Sequence, residues 1–528
     1  MSSITSFVNH NFGGIRRKDS AFSEQKVTCS DCQNVELYFT ELNSGVGLRT
    51  SKGNISVTTY QEEGVIKSLI PEDENIIGVF ETIQLGVKRL IIYTESQTKG
   101  RLYNVILESY TINLLVDNLN VTGKATGSDF TQGWLDMFIF SNGKDLKYIY
   151  SDSESFQELI IESNDKLKLV DVDGREISGL GLAVFDSRLW IFNGKVLWYS
   201  QQGECRVFNY NDPEITTSSG YIEFVKDITA IYPYLGSLAV FHKDSSVLVQ
   251  LDATTGFKQE EESPGGCASY KSLVFHGTDL YFYDDTKKGV FSFQQIINGD
   301  KTLGDNIALD IQDELMAIDN DDIDKIKALS VVTEDRNEVW FLCPISKDKN
   351  YSIILIFDYL RGEWVKRKCQ KINDIQIYNN ELYSAGKDLY KEYVSETFNN
   401  EFIGAFYQCT VINMDSDNTL KITKMPPRLS VDGEYRNNFY VKYVKNYNTL
   451  KPPKIKEIKS KTKKGIIYYD QGYTYDSGYI YLPNVATSII RLPSSTFKAL
   501  EITFYTEKLR QEFCIKTLEI SKLKIKQV

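Results

Sequence analysis

Leu189-Trp190-Ile191-Phe192-Asn193-Gly194-Lys195-Val196-Leu197-Trp198-Tyr199 sets a short apolar run, an Asn-Gly pair and a second aromatic-rich run end to end. Asn and Gly both tolerate positive φ. An Asn-Gly pair between two such runs is therefore the strongest short-range sign of a β-hairpin. The pattern predicts two strands joined by a turn centred on Asn193-Gly194.

The same shape recurs along the chain. Met137-Phe138-Ile139-Phe140 is followed by Ser141-Asn142-Gly143 and a further run over 146–150. Leu273-Val274-Phe275-His276 is followed by Gly277 and a run over 280–283, and weaker copies start at Leu90, Leu238, Val339 and Leu382. Successive starts lie 47, 52, 49, 35, 66 and 43 residues apart. All-strand units repeating every 40 to 50 residues or so are the spacing of four-stranded propeller blades. The expectation is an all-β chain whose core is a β-propeller of six or seven blades, since two starts can fall within one blade. A series of β-sandwiches is the alternative.

Composition agrees with strands. The 528 residues include 33 Tyr and 28 Phe against 5 Met. Rings and β-branched side chains fit a pleated, half-buried surface and lose χ1 freedom in a helix. One stretch departs from the pattern. Residues 306–329 carry Ile307, Ile311, Leu315 and Ile318 at helical spacing, which predicts an inserted helix and explains the 66-residue interval. The propeller is expected over 61–395, and a separate β-sandwich-like domain over 396–528. That last part holds a basic stretch over 424–464, with Pro452-Pro453 extending part of it. Its Lys454, Lys456, Lys459, Lys461, Lys463 and Lys464 are candidates for a contact with DNA or an acidic neighbouring subunit. The bland alternative is a solvated loop.

The net charge of −11 argues against a protein that seeks out bare nucleic acid over its whole surface. No apolar run approaches the roughly 20 residues of a membrane span, and residues 1–9 lack the basic and apolar parts of a secretory signal. Eight scattered cysteines read as reduced thiols rather than a disulfide framework.

Catalytic constellations are not visible. His10, His242 and His276 form no metal-type pair. Cys29-Ser30-Asp31-Cys32 has the spacing of two zinc ligands but no second pair to complete four. Residues 319–324 imitate a calcium loop but have Ile323 at its fifth position and lack the glycine and the closing glutamate. Gly179-Leu180-Gly181 lacks the third glycine of a dinucleotide loop. Thr333-Glu334-Asp335-Arg336-Asn337-Glu338-Val339-Trp340 resembles the Asp box of sialidase-type propellers, with Asn337 in place of glycine. That box is a structural turn even in the enzymes. The expectation is a non-enzyme without cofactor or metal.

The N-terminal stretch is the most telling. Asn11-Phe12-Gly13-Gly14-Ile15-Arg16-Arg17-Lys18-Asp19-Ser20 is followed by Cys32-Gln33-Asn34-Val35-Glu36-Leu37 and Gly45-Val46-Gly47-Leu48-Arg49-Thr50. Later, residues 187–208 form a "R-l-w" blade, and Phe357-Asp358-Tyr359-Leu360-Arg361-Gly362-Glu363-Trp364 forms a D-x-x-x-G-x-W turn. Together these resemble the tail nozzle, or packaged-DNA stabilisation, family of short-tailed bacteriophages. A Thr-Ser-Lys-Gly run where the family has an earlier glycine is a small departure. The resemblance implies a structural virion protein of the tail, made in the host bacterial cytoplasm. It implies a homo-hexameric ring that meets portal-side adaptor proteins and tail fibres, retains packaged DNA and conducts it during ejection. It also marks 1–60 as a docking segment, with Phe12, Gly13, Gly14 and Arg16 as the docking motif. Two other readings stay open: a glycan-binding or glycan-cleaving, sialidase-like propeller, and a propeller scaffold for protein partners.

Overall fold

The computed structural model describes residues 3–9, 12–15, 27–39, 45–62, 65–151, 159–163, 167–211, 217–252, 256–298, 302–318, 320–344, 350–409, 412–413, 428–433, 438–445, 452–458, 466–467, 480–481, 486–491, 499–509 and 511–525. The chain divides into two compact units. One, the propeller unit, comprises residues 55–354 and 369–392; the other, the terminal unit, comprises 1–54, 355–368 and 393–528.

The run Leu189-Trp190-Ile191-Phe192 explains the propeller unit. It lies on strand Arg188–Asn193, where successive side chains point to opposite faces. Leu189 and Ile191 pack with Met137, Ile139 and Tyr148, whereas Trp190 and Phe192 pack with Leu238, Val240 and Val249. The neighbouring sheets repeat the arrangement. Phe138 and Phe140 turn back onto Ile91 and Tyr93, and Ala239 and Phe241 turn forward onto Leu280 and Phe282. Each sheet is thus covered on both faces, so its strands read as continuous apolar runs rather than alternating ones.

Among the described residues of this unit, seven sheets of three or more strands follow one another, beside a two-stranded pair, Thr59–Glu62 with Val65–Ser68. Four-stranded sheets run over 75–119, 126–163 and 181–223, and the fourth, over 230–264, adds a short fifth strand. The fifth has three strands, Leu273–His276, Asp279–Asp284 and Gly289–Ser292. The sixth opens on Lys327–Val332 and Asn337–Cys343. The seventh holds Ile372–Tyr378, Glu381–Gly386 and Leu389–Ser395, and takes its outer strand, Gly53–Ser56, from ahead of the first sheet. First strands of neighbouring sheets touch, and Ile372–Tyr378 touches Asn75–Gln84, which closes the circle. A core of Ile76, Val79, Leu90 and Ile92 with Tyr378, Tyr383 and Leu389 seals that junction. This is a seven-bladed β-propeller.

Three details differ from the sequence reading. The hairpin loop after Phe192 is Gly194-Lys195, because Asn193 still pairs with Val196 and only Gly194 takes a positive φ, 55°. Helix is confined to short pieces: Leu309–Ile311, Gln312–Met316 and Asn320–Lys325 within the expected 306–329, with 327–332 a strand instead. A further helix, Phe293–Asn298, went unforeseen. Its Phe293 and Ile296 fill the core beside the three-stranded fifth sheet.

In the terminal unit, the two ends of the chain pair with each other. Ser3–Asn9 runs antiparallel to Cys514–Ile525, and Val27–Gln33 runs antiparallel to Phe406–Cys409. The division into 1–60 and 396–528 therefore gives way to one unit built from both. Pairing partners between 373 and 522 residues apart leave no local signal. Its core includes Phe439, Phe504 and Phe513, whose rings lie 5.7 to 6.5 Å apart. Among the described residues no helix is long and apolar enough to cross a membrane.

Candidate assembly site

The terminal unit gathers the N-terminal motifs and the Asp358–Trp364 motif. Phe12–Ile15 is a short strand buried at all four positions, running parallel to Val27–Gln33. The Phe12 ring meets Tyr407 edge-on at 5.9 Å, and the Tyr407 hydroxyl donates to Gly13 O at 2.8 Å. Burial pushes the Tyr407 phenol well above its ordinary pKa. Gly14 N donates to the buried Glu363 carboxylate at 2.9 Å. A Cβ on Gly14 would overlap Trp364 O and lie 2.9 Å from Trp364 N, so only glycine fits without the backbone moving. Phe12, Gly13 and Gly14 therefore lock the unit's interior and present no surface, which corrects their reading as a docking motif. Arg16 lies outside the described residues.

Asn34 carries the next motif. It sits at φ 53°, a conformation Asn tolerates better than most residues. Its N–H donates to Lys366 O at 2.8 Å, and its Oδ1 accepts from Lys368 N at 2.7 Å. Lys366 pairs with Asp31 at 2.7 Å. The buried Arg367 donates to Ser51 Oγ and Lys52 O and lies over the rings of Tyr393 and Phe398.

What this frame presents to solvent is a small apolar tip. Asp358 O accepts from Gly362 N at 2.8 Å, with Gly362 at φ 65°, so Tyr359, Leu360 and Arg361 form a tight turn. Leu360 is 65% exposed and Phe39 60% exposed, with the Arg361 guanidinium 4.1 Å from the Phe39 ring centroid. Tyr359 is exposed as well. Aromatic rings with a stacked Arg are the composition of an interface core rather than of ordinary surface. Sequence reasoning named Tyr359, Leu360 and Arg361 only as members of a turn and passed over Phe39. The available signal was the pair Tyr359-Leu360 at the tip of a turn, where polar residues are the rule.

The basic strand is elsewhere in the unit. Lys454–Ile458 pairs with Phe439–Lys445 and is the edge of its sheet among the described residues. Lys454 and Lys456 are exposed and face the same side as Lys445, whose pKa is lowered by burial first and by Lys454 second. Lysines on an edge strand also discourage unwanted strand pairing. Lys459, Lys461, Lys463 and Lys464 lie outside the described residues.

The remaining candidates occupy structural positions. Cys29 and Cys32 are buried on one strand, and burial, then Cys32, raises the Cys29 thiol. His242 Nδ1 lies 3.0 Å from Asp227 O and His276 Nδ1 2.9 Å from Ser330 Oγ. His10 lies outside the described residues. The turn of 333–340 is closed by Thr333 and Arg336 backbone groups, and Trp340 is buried with its Nε1 donating to Glu338. Asp335 makes no hydrogen bond among the described residues, unlike the aspartate of an Asp box. Among the described residues no three His, Cys, Asp or Glu side chains are placed to share a metal ion.

No protein-family model and no curated protein matches the chain. Among solved structures, that of Kluyveromyces lactis Hsv2 aligns at 12% identity over 64% of this chain and 98% of that one, with a TM-score of 0.30. The propeller assignment rests on the closed circle of sheets described above.

Proposed function

We propose that this propeller protein is a non-enzymatic assembly subunit, and specifically one member of the closed ring of a short-tailed phage tail nozzle. The observation that carries the reading is the meeting of motifs in the terminal unit. Gly14 of the Phe12-Gly13-Gly14 motif is hydrogen-bonded to Glu363 of the 357–364 turn, and Asn34 to Lys366 and Lys368 just beyond that turn; all three motifs bear the family resemblance. Their shared outer tip is the apolar cluster of Phe39, Tyr359 and Leu360. A patch of that kind, used against a different patch of the next subunit, generates a ring when the rotation closes. The six-fold number comes from the resemblance. The net charge of −11 suits a lumen that lets DNA slide without gripping its phosphates. In this reading Lys454 and Lys456 provide a salt-sensitive contact to an acidic neighbour or to the DNA.

The test is assembly of the purified chain with portal-side adaptor protein, followed by negative-stain imaging. Phe39→Ser with Leu360→Asp should leave the thermal unfolding of the chain nearly unchanged. It should weaken ring formation by about tenfold or more, a loss of about 1.4 kcal/mol or more, if one of the two is among the few residues that dominate the interface. Charge reversal at Lys454 and Lys456 should weaken assembly at low salt and matter little at high salt. Rings that form equally well with the Phe39 and Leu360 substitutions would remove the apolar tip from the account.

A further inference from the structure

A cavity of about 320 Å³ opens on the axis of the propeller unit, lined by the first strands of its blades and by Tyr270 and Lys271. Its charges are unevenly committed. Glu81, on one wall, is paired with Lys88 at 3.0 Å. Asp129 accepts from the Thr82 hydroxyl at 2.6 Å. Lys327 is paired with Asp374 at 2.6 Å. Lys271 is different. Among the described residues no carboxylate lies within ion-pair distance of its ammonium, and the Tyr270 ring centroid lies 5.8 Å from its Nζ. Burial pushes Lys271 below the ordinary lysine pKa; Asp374 and Glu95 oppose that shift, and Lys327 adds to it.

A second uncommitted group lies in the same cavity. Tyr232 stacks on Phe275 at 6.4 Å, and its half-buried hydroxyl makes no hydrogen bond among the described residues. Ser128 and Gln376 also line the space, with side chains that make no hydrogen bond among the described residues. An ammonium held in a partly desolvated cavity without a counter-ion costs free energy in the empty protein. Functional sites are where such a cost is retained.

We propose that the axial cavity is a binding site for a compact oxyanion, a carboxylate- or phosphate-bearing small molecule, with Lys271 as its counter-ion and Tyr232, Ser128 and Gln376 as hydrogen-bonding partners. Lys271, the one unpaired cation among the described lining residues, selects one anionic group. The apolar wall of Val79, Leu182 and Ile231 accepts the body that carries it. The volume, near the lower end of ligand pockets, excludes a polymer. The proposal is independent of the ring reading, because the residues involved belong to the propeller unit alone.

The experiment is calorimetric titration and thermal unfolding of the full chain at constant ionic strength, with glucuronate, lactate and inorganic phosphate as probes and glucose as the uncharged control. At least one anion should bind saturably in the millimolar range or tighter and raise the melting temperature, while glucose does neither. Binding by glucuronate or lactate alone assigns a carboxylate ligand, and binding by phosphate alone a phosphate ligand. Lys271→Gln removes a charge without stranding a partner, so it should fold with unchanged or higher melting temperature. It should bind the anion about tenfold or more weakly, the usual size of a charged hydrogen bond. Should that variant fail to fold, Tyr232→Phe serves instead, with severalfold weaker binding expected. Absence of binding by all three anions, or equal affinity in the folded variant, overturns the proposal.

Discussion

Asp374→Ala is expected to destabilise the propeller unit by about 3–5 kcal/mol, the usual cost of stripping one partner from a buried ion pair. Asp374 is fully buried at the start of the seventh sheet. Its carboxylate accepts Val79 N of the first sheet at 2.7 Å and Ile375 N at 3.1 Å, and pairs with Lys327 of the sixth. One side chain thus joins three sheets where the circle closes. Removing it leaves a nearly buried ammonium and an orphaned N–H. Adding Lys327→Met to Asp374→Ala should return part of the loss, because an absent pair costs less than half of one. Urea unfolding monitored by tryptophan fluorescence gives both numbers. A loss under about 1 kcal/mol would mean that Asp374 does not hold the closure.

Trp190→Ala should cost a similar amount, about 3–5 kcal/mol. Trp190 is fully buried between the third and fourth sheets, 4.9 Å from the Tyr199 ring and 4.7 Å from Phe257, and its Nε1 donates to Phe185 O at 2.9 Å. Truncation opens a cavity and leaves that carbonyl without its side-chain partner. Trp190→Phe keeps much of the volume and should cost roughly half or less. The same unfolding curves, followed by far-UV circular dichroism, separate the two variants. Equal stability of Trp190→Ala and Trp190→Phe would show that the neighbouring sheets collapse into the space.

The repeat was legible because the second strand of a blade is buried on both faces. Six of the seven starts read from sequence, at Leu90, Met137, Leu189, Leu238, Val339 and Leu382, fall on second strands. The exception is Leu273, which begins the first strand of the fifth sheet; its second strand holds Leu280, 42 residues after Leu238. That slip produced the short interval of 35. The turns between first and second strands were harder to see. Asp186-Ser187 and Asn379-Asn380 both adopt two successive positive φ values, yet Asp-Ser carries little of the Asn-Gly signal. The Asn-Gly pair that drew attention shifted by one residue, because its asparagine stayed in the ladder. The candidate site was less legible. Phe12, Gly13 and Gly14 looked like a docking motif, but the groups that fill the space around them, Glu363, Trp364 and Tyr407, are about 350 to 394 residues away. The exposed partners Phe39 and Leu360 are likewise joined only by the fold.

Image reconstruction of native particles containing this chain tests the central proposal most directly. The account predicts a closed ring of this chain around the DNA axis, with Phe39 and Leu360 of each subunit covered by its neighbour. A particle in which the chain sits peripherally, as a fibre head with no contact to a DNA channel, would contradict it.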